Sequence, residues 1–221
     1  MKPAAAQTSE EPAPTVLLFL KAPRAGEVKT RLAAMIGPHA ALQIYRSLAE
    51  GQLARLPAGW PAEIYFTPTN ALQDMQQWLG VDRNYKTQAN GDLGERLSLA
   101  VEQAFASGAA GVLCIGADCP TLDADHLKQA AQALASGADI VFGPANDGGY
   151  YLVGLNRPET AIFKDIPWST DNTLEISLQT ADQLGLRVQL LEPLHDLDTI
   201  EDLRRAIAKG LLPRKRSRWK E

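Results

Sequence analysis

The stretch "TVLLFLKAPRAGEVKTRL", residues 15–32, carries an apolar, β-branched-rich run through a loop with Pro23 and Gly26 and into helix-forming sequence. The run at 15–20 reads as a strand buried on both faces. Lys29-Thr30 after a glycine invites comparison with a P-loop, but the spacing refuses it. That motif needs glycine directly before the lysine and another five residues earlier. Here Val28 precedes Lys29, and Lys21-Ala22-Pro23 stands where the loop should open. The chemistry survives the failure of the motif. A strand–loop–helix turn presents backbone N–H groups where anions are stabilised, Gly26 permits close approach of the backbone, and Lys29 and Arg31 add positive charge. Neighbours two apart on a helix do not share a face. One of the two is therefore expected to brace the loop or pair with a carboxylate, and Arg31, with its planar fork, suits that task better.

Outward from that turn the chain alternates. Helical sequence covers about 28–35 and 38–56, split by Gly37-Pro38, and is followed by a strand at 62–68, a short helix at 71–79 and a third strand at 84–89. "GDLGERLSLAVEQAFASG" (91–108) opens on glycines and turns helical; "GVLCIG" (111–116) is another buried strand. The helix at 123–137 has Asp123 as its cap and Gly137 at its end. The strands at 139–144 and 149–155 lie too close in sequence for a parallel crossover, which needs about a dozen residues. A helix (173–185), a strand (187–193) and a final helix (199–210), with Thr199 and Asp202 spaced for a reciprocal cap, complete the pattern. This alternation predicts an α/β fold with a mainly parallel sheet covered on both faces and one late antiparallel element. One domain is expected over 15–211, with a disordered Pro/Ala/Glu leader at 1–14 and a basic tail at 212–221.

The chain has 221 residues, 45% of them hydrophobic, and a net charge of −4. That charge argues against nonspecific nucleic-acid binding. No apolar run approaches the roughly 20 residues of a membrane span, and the N-terminus lacks the apolar core of a signal peptide. Cys114 and Cys119 are not spaced as CxxC. Together these features predict a cytoplasmic protein with reduced thiols.

In open α/β sheets ligands sit at the carboxyl ends of the strands. Asp118 follows the strand at 111–116 and is not needed as a cap, since Asp123 is available. A carboxylate there suits Mg²⁺, which takes one or two carboxylates plus waters and substrate oxygens; the plain alternative is a turn aspartate. Asp147-Gly148-Gly149 follows the strand at 139–144 and reads either as a hairpin turn or as a crevice where a ligand meets the backbone. In "IPWST", Trp168 stacks on a ring or simply packs, and Ser169 or Thr170 caps the next helix. Gly91 and Asp92 start a helix or approach a ribose or base. His195, Asp196 and Asp198 fall together before the last helix, where a second Mg²⁺ carboxylate fits better than a zinc site.

Six motifs then fall in order between residues 21 and 203: "KAPRAGEVKTRL", "GDLGERL", "GADCPTL", "GPANDGGYYLVGL", "IPWST" and "HDLDTIEDL". Together they resemble the radical-SAM/selenodomain-associated transferases, also labelled arsenosugar-biosynthesis glycosyltransferases. More distantly they are similar to the molybdenum-cofactor and phospholactate guanylyltransferases and to sugar-acid cytidylyltransferases. The resemblance implies a GT-A fold, the Rossmann-like three-layer sandwich of nucleotide-diphospho-sugar transferases. It implies nucleotide contacts from Lys21, Pro23, Gly26, Lys29, Arg31, Gly91 and Asp92. It implies Mg²⁺ or Mn²⁺ on Asp118 and on Asp198, which matches the aspartate of a "DTPEDL" pattern with Ile200 in place of proline. Asp118, Asp147 and Lys29 become the catalytic candidates, and Gly148, Gly149, Trp168, Ser169 and Thr170 the acceptor side. The expected partners are a nucleotide or nucleotide sugar and a small-molecule acceptor. The family label favours glycosyl transfer. The basic opening loop resembles the nucleotidyl relatives, for which an NTP and a phosphorylated or acidic acceptor would give pyrophosphate. A nucleotide-binding module without catalysis is the remoter alternative.

Overall fold

The computed structural model describes residues 12–212. Its seven strands are β1 (Thr15–Lys21), β2 (Ala62–Thr67), β3 (Asn84–Thr87), β4 (Val112–Ile115), β5 (Ile140–Pro144), β6 (Tyr150–Leu155) and β7 (Val188–Leu190). They form one sheet in the order β3-β2-β1-β4-β6-β5-β7. All pairings are parallel except those of β6, which runs antiparallel to both β4 and β5. The late antiparallel element is thus a hairpin whose second strand inserts between β4 and β5.

The helices are α1 (Thr30–Ile36), α2 (Pro38–Ala54), α3 (Leu72–Leu79), α4 (Leu93–Ala106), α5 (Ala124–Ala135), α6 (Thr173–Gln183) and α7 (Ile200–Ala208). Side chains of a strand alternate between faces, and β1 shows both. Val16, Leu18 and Leu20 pack with Tyr45 and Ala49 of α2, Met75 of α3 and Leu127 of α5. Leu17 packs on the other side with Leu97 and Val101 of α4 and Ala181 of α6. Both faces of the sheet are therefore covered, and the three-layer α/β architecture expected from the sequence holds. A smaller cluster joins α1, α2 and α7 through Leu32, Ile44 and Leu203.

Local chemistry sets the helix starts. Asp92 and Glu95 form a reciprocal capping box, as do Thr199 and Asp202, and the Asp123 carboxylate accepts from the N–H groups of Asp125 and His126. Two expectations are corrected, at the α6 cap and at Leu212, and one short element is added. Neither Ser169 nor Thr170 caps α6: the cap position is Asn172, and the Thr170 hydroxyl donates to the Pro167 carbonyl instead. A 3₁₀ turn at Thr160–Phe163, too short to leave a periodic signal, packs Ile162 and Phe163 under α4. Leu212, assigned to the tail, is buried in the α1/α2/α7 cluster. Residues 1–11 of the expected leader and 213–221 of the tail lie outside the described residues. Among the described residues, no helix is long and apolar enough to cross a membrane.

Candidate active site

The loop after β1 is built by its flanks. The Tyr45 hydroxyl accepts from the Lys21 N–H and donates to the Lys21 carbonyl, both at 2.8 Å, and so fixes the end of β1 to α2. Arg24 reaches α3 and pairs with Asp74 at 2.8 Å. Gly26 takes φ +86°, a left-handed conformation that favours glycine, and nothing lies within 4 Å of where a Cβ would sit. Lys29 is left-handed too, with φ 47° and ψ 48°, immediately before α1. That conformation is uncommon for a residue with a Cβ and turns the side chain back over the sheet's carboxyl end.

There Lys29 Nζ lies 2.6 Å from Asp118 Oδ1 and 2.9 Å from Asp198 Oδ1. The lysine side chain is only 4% exposed, while the two aspartates are 51% and 42% exposed. Burial by itself would lower the Lys29 pKa, but the two carboxylates outweigh it and the net shift is upward. The ammonium is therefore charged at neutral pH. Asp198 is delivered by the segment after β7, which is held on both sides. The Leu197 N–H donates to the Asp118 carbonyl, and Leu194 exchanges backbone bonds with Pro144 and Asn146.

These groups line a cleft of about 600 Å³. Of the residues singled out in the sequence, Lys21, Lys29, Arg31, Asp118, Asp198 and Ser169 border it; Pro23, Gly26, Gly91, Asp92, Asp147, Gly148, Gly149, Trp168 and Thr170 do not. The expected carboxylate pairing belongs to Lys29, not Arg31. Arg31 is exposed and makes no ion pair among the described residues, because α1 turns it away from the carboxylates that its neighbour reaches. Asp92 is taken up as a helix cap. Asp147 folds onto its own turn, its Oδ1 accepting from the Gly149 N–H at 3.0 Å. The close approach that Gly148 permits is made by the protein itself: at φ +90°, a Cβ would meet the Asp171 carbonyl oxygen at 2.0 Å. Trp168 packs edge-on to Tyr150, with centroids 6.0 Å apart, and against Gly94.

The cleft also holds residues that sequence reasoning missed. Arg96 of α4 lines it, with Nε donating to the Gly91 carbonyl. Gln88, buried just past β3, spends its Nε2 on the carbonyls of Leu20 and Tyr65 at 3.1 and 2.9 Å. That fixes the amide orientation, since Oε1 would face two carbonyls if flipped. Behind Asp118, the Cys119 thiol donates to the Asp196 carboxylate. Burial, aided by repulsion from Asp118, Asp147 and Asp198, pushes the Asp196 pKa up to about 6 against the lowering effect of that bond. Burial pushes the Cys119 thiol up as well, so it is not a nucleophile.

The paired carboxylates suit a hard divalent cation. Two oxygens already converge on one positive charge, both side chains retain solvent access, and such an ion completes its shell with water and phosphate oxygens.

Residues 52–170, over half the chain, match the model of a family described as "Uncharacterized protein conserved in bacteria (DUF2064)". The chain belongs to the DUF2064 family. This DUF2064 chain is also similar to a crystal structure from Desulfovibrio desulfuricans G20, provisionally named a nucleotide-diphospho-sugar transferase. The two are 30% identical, with a TM-score of 0.82, over 89% of this chain and 86% of that one. The inositol-1-phosphate CTP transferase of T. maritima superposes with a TM-score of 0.57 at 13% identity, over 96% of this chain and 98% of that one. A manganese complex of Rv0371C from Mycobacterium tuberculosis H37Rv superposes with a TM-score of 0.53 at 15% identity, over 89% and 99%. These last two likenesses show the shared fold. No curated protein sequence matches the DUF2064 chain.

Proposed function

We propose that the chain is a divalent-metal-dependent nucleotidyltransferase. An acceptor phosphate or carboxylate attacks the α-phosphorus of an NTP, the bond to the bridging oxygen breaks, and pyrophosphate leaves. The observation that carries this reading is the charge lining the cleft. Lys21, Lys29, Arg31 and Arg96 stand against only Asp118 and Asp198, four cations to two carboxylates. A cleft with that balance suits polyphosphate and an anionic acceptor. Such an acceptor is already a nucleophile at neutral pH and needs no general base. A hydroxyl acceptor would need one, and Asp147, the candidate from sequence, lies outside the lining with an oxygen committed to its own turn.

Asp118 and Asp198 would hold Mg²⁺ or Mn²⁺, which supplies Lewis-acid polarisation of the phosphates and offsets charge on the leaving group. Arg31, with its planar fork, binds phosphate oxygens bidentately. Lys21 and Arg96 orient the two anions, whose mutual repulsion they offset. Leu93, Leu97 and Phe19 give the cleft an apolar wall on which a ring can lie. The work is positioning and charge stabilisation in a site shaped beforehand.

Glycosyl transfer from a nucleotide sugar is the second reading. It is favoured by the name of the Desulfovibrio relative and by the resemblance of the six motifs to those of the radical-SAM-associated transferases. Phosphorus NMR separates the two. Pyrophosphate released from an NTP and a phosphorylated or acidic acceptor supports nucleotidyl transfer; a nucleoside diphosphate released from a nucleotide sugar overturns it. A thermal-shift panel of NTPs and nucleotide sugars, with and without Mg²⁺, selects the donor first. A ligand at about 100 times its Kd raises stability by roughly 2.7 kcal/mol.

A further inference from the structure

Lys29 occupies the position between Asp118 and Asp198 that a divalent cation would need. Its Nζ is within 2.9 Å of both carboxylates, its side chain is 4% exposed, and its backbone is held at φ 47°. Two carboxylates alone offer a hard cation few ligands. Among the described residues, no group of three or more His, Cys, Asp or Glu could hold a metal ion. A metal arriving alone must displace a buried ammonium from both of its carboxylate partners. A phosphate arriving alone must compete with two carboxylates for the same ammonium.

The geometry points to Lys29 as an exchange cation that couples metal binding to phosphate binding. The metal takes the two carboxylates as Lys29 turns its ammonium to a phosphate oxygen, so each ligand removes the obstacle to the other. This rests on the nucleotide reading of the cleft. It places in one side chain an affinity coupling that acts equally in both directions.

The test uses Lys29→Met, with Lys29→Gln as a second neutral side chain, each first checked for folding by thermal melting. Mn²⁺ alone is titrated by the EPR signal of the free ion. ATP, GTP, CTP and UTP are titrated by calorimetry, each in chelator and at saturating Mn²⁺. Both variants should bind Mn²⁺ alone roughly tenfold more tightly than wild type. The gain in nucleotide affinity that Mn²⁺ confers should shrink by roughly tenfold, within the span usual for coupled sites. Tighter Mn²⁺ binding with an unchanged gain is through-space repulsion alone and overturns the exchange. Unchanged Mn²⁺ affinity overturns it as well. If wild type binds no nucleotide under either condition, the nucleotide reading falls and takes the exchange with it. If it binds and the variants couple as wild type does, only the exchange falls.

Discussion

Two charge triads sit at opposite ends of the sheet, and they are built inside out relative to each other. At the amino end of β5, Asp139 is the inner member, with a side chain 11% exposed, and Arg157 and Arg187 pair with it from outside at 3.0 and 3.1 Å. Arg157 follows β6 and Arg187 precedes β7, and the Arg187 backbone N–H donates to the same aspartate at 2.9 Å. The acceptor is saturated, and the triad ties three neighbouring strands together. At the carboxyl end the inner member is the cation, Lys29, and the outer members are the carboxylates. A saturated inner anion leaves nothing to bind. A buried cation under two half-exposed carboxylates leaves oxygens facing a cleft. The direction in which a cluster's unused valence points distinguishes a rivet from a site.

The comparison breaks first at Asp118. Asp118→Asn should lower Mg²⁺-dependent turnover on the order of 10³-fold, the equivalent of several kcal/mol of transition-state stabilisation. Melting should fall by on the order of 5 °C, because the buried Lys29 ammonium keeps one carboxylate in place of two, and turnover is compared per folded molecule. Near-wild-type turnover at limiting Mg²⁺ would sink the metal role. Asp139→Ala should do the opposite, leaving turnover per folded molecule unchanged and costing about 2 kcal/mol of stability, since it unpairs charge-assisted bonds. Its pH dependence has a definite sign. The Arg187 side chain and backbone hold the Asp139 carboxyl below the usual carboxylate range. The stability it contributes is full above the ordinary aspartate value, about 4, and fades as pH falls through its lower folded value. Denaturation of wild type and variant should therefore differ most near neutrality and converge in acid. A gap that widens in acid would refute the assignment.

A smaller effect sharpens the functional end. Arg31→Ala should weaken NTP binding about tenfold, the loss of one charge-assisted contact, and leave the matching nucleoside's affinity unchanged. Calorimetry showing equal losses for both would contradict a phosphate role. The smallest effect is expected at Asp147. Under nucleotidyl transfer, Asp147→Asn should change turnover less than about threefold, below the roughly 100-fold or more that a general base contributes. A much larger fall with nucleotide affinity intact would restore the glycosyl reading.

Much of this was legible in the sequence because it is local. The apolar run of β1, the caps at Asp92, Asp123 and Thr199, and the crowding of residues 139–155 each depend on neighbours a few positions away. Strand-end logic also brought out Asp118 and the group of His195, Asp196 and Asp198, since the topology collects carboxyl ends on one side; the resemblance to the "DTPEDL" pattern then picked Asp198. What stayed hidden depends on distant pairs. The insertion of β6 beside β4 matches residues 112–115 with 152–155, a choice that no periodicity records. Lys29 rather than Arg31 met the carboxylates because of one left-handed backbone angle. Gln88 carries no motif, and Arg96, though inside "GDLGERL", was not singled out there; both reach the cleft only because β3 ends and α4 begins at its rim.

The Lys29–Asp198 contact spans 169 positions of chain, and this orders events during biosynthesis. Everything from β1 to β6 precedes residue 198, so most of the sheet and the first carboxylate leave the ribosome before the second exists. At roughly 5–20 residues per second, the stretch from Asp118 to Asp198 takes on the order of ten seconds to translate. Throughout that interval Lys29 has one carboxylate partner, not two. A nascent or truncated chain thus lacks the second carboxylate of the triad, which arrives only with the segment leading into the last helix.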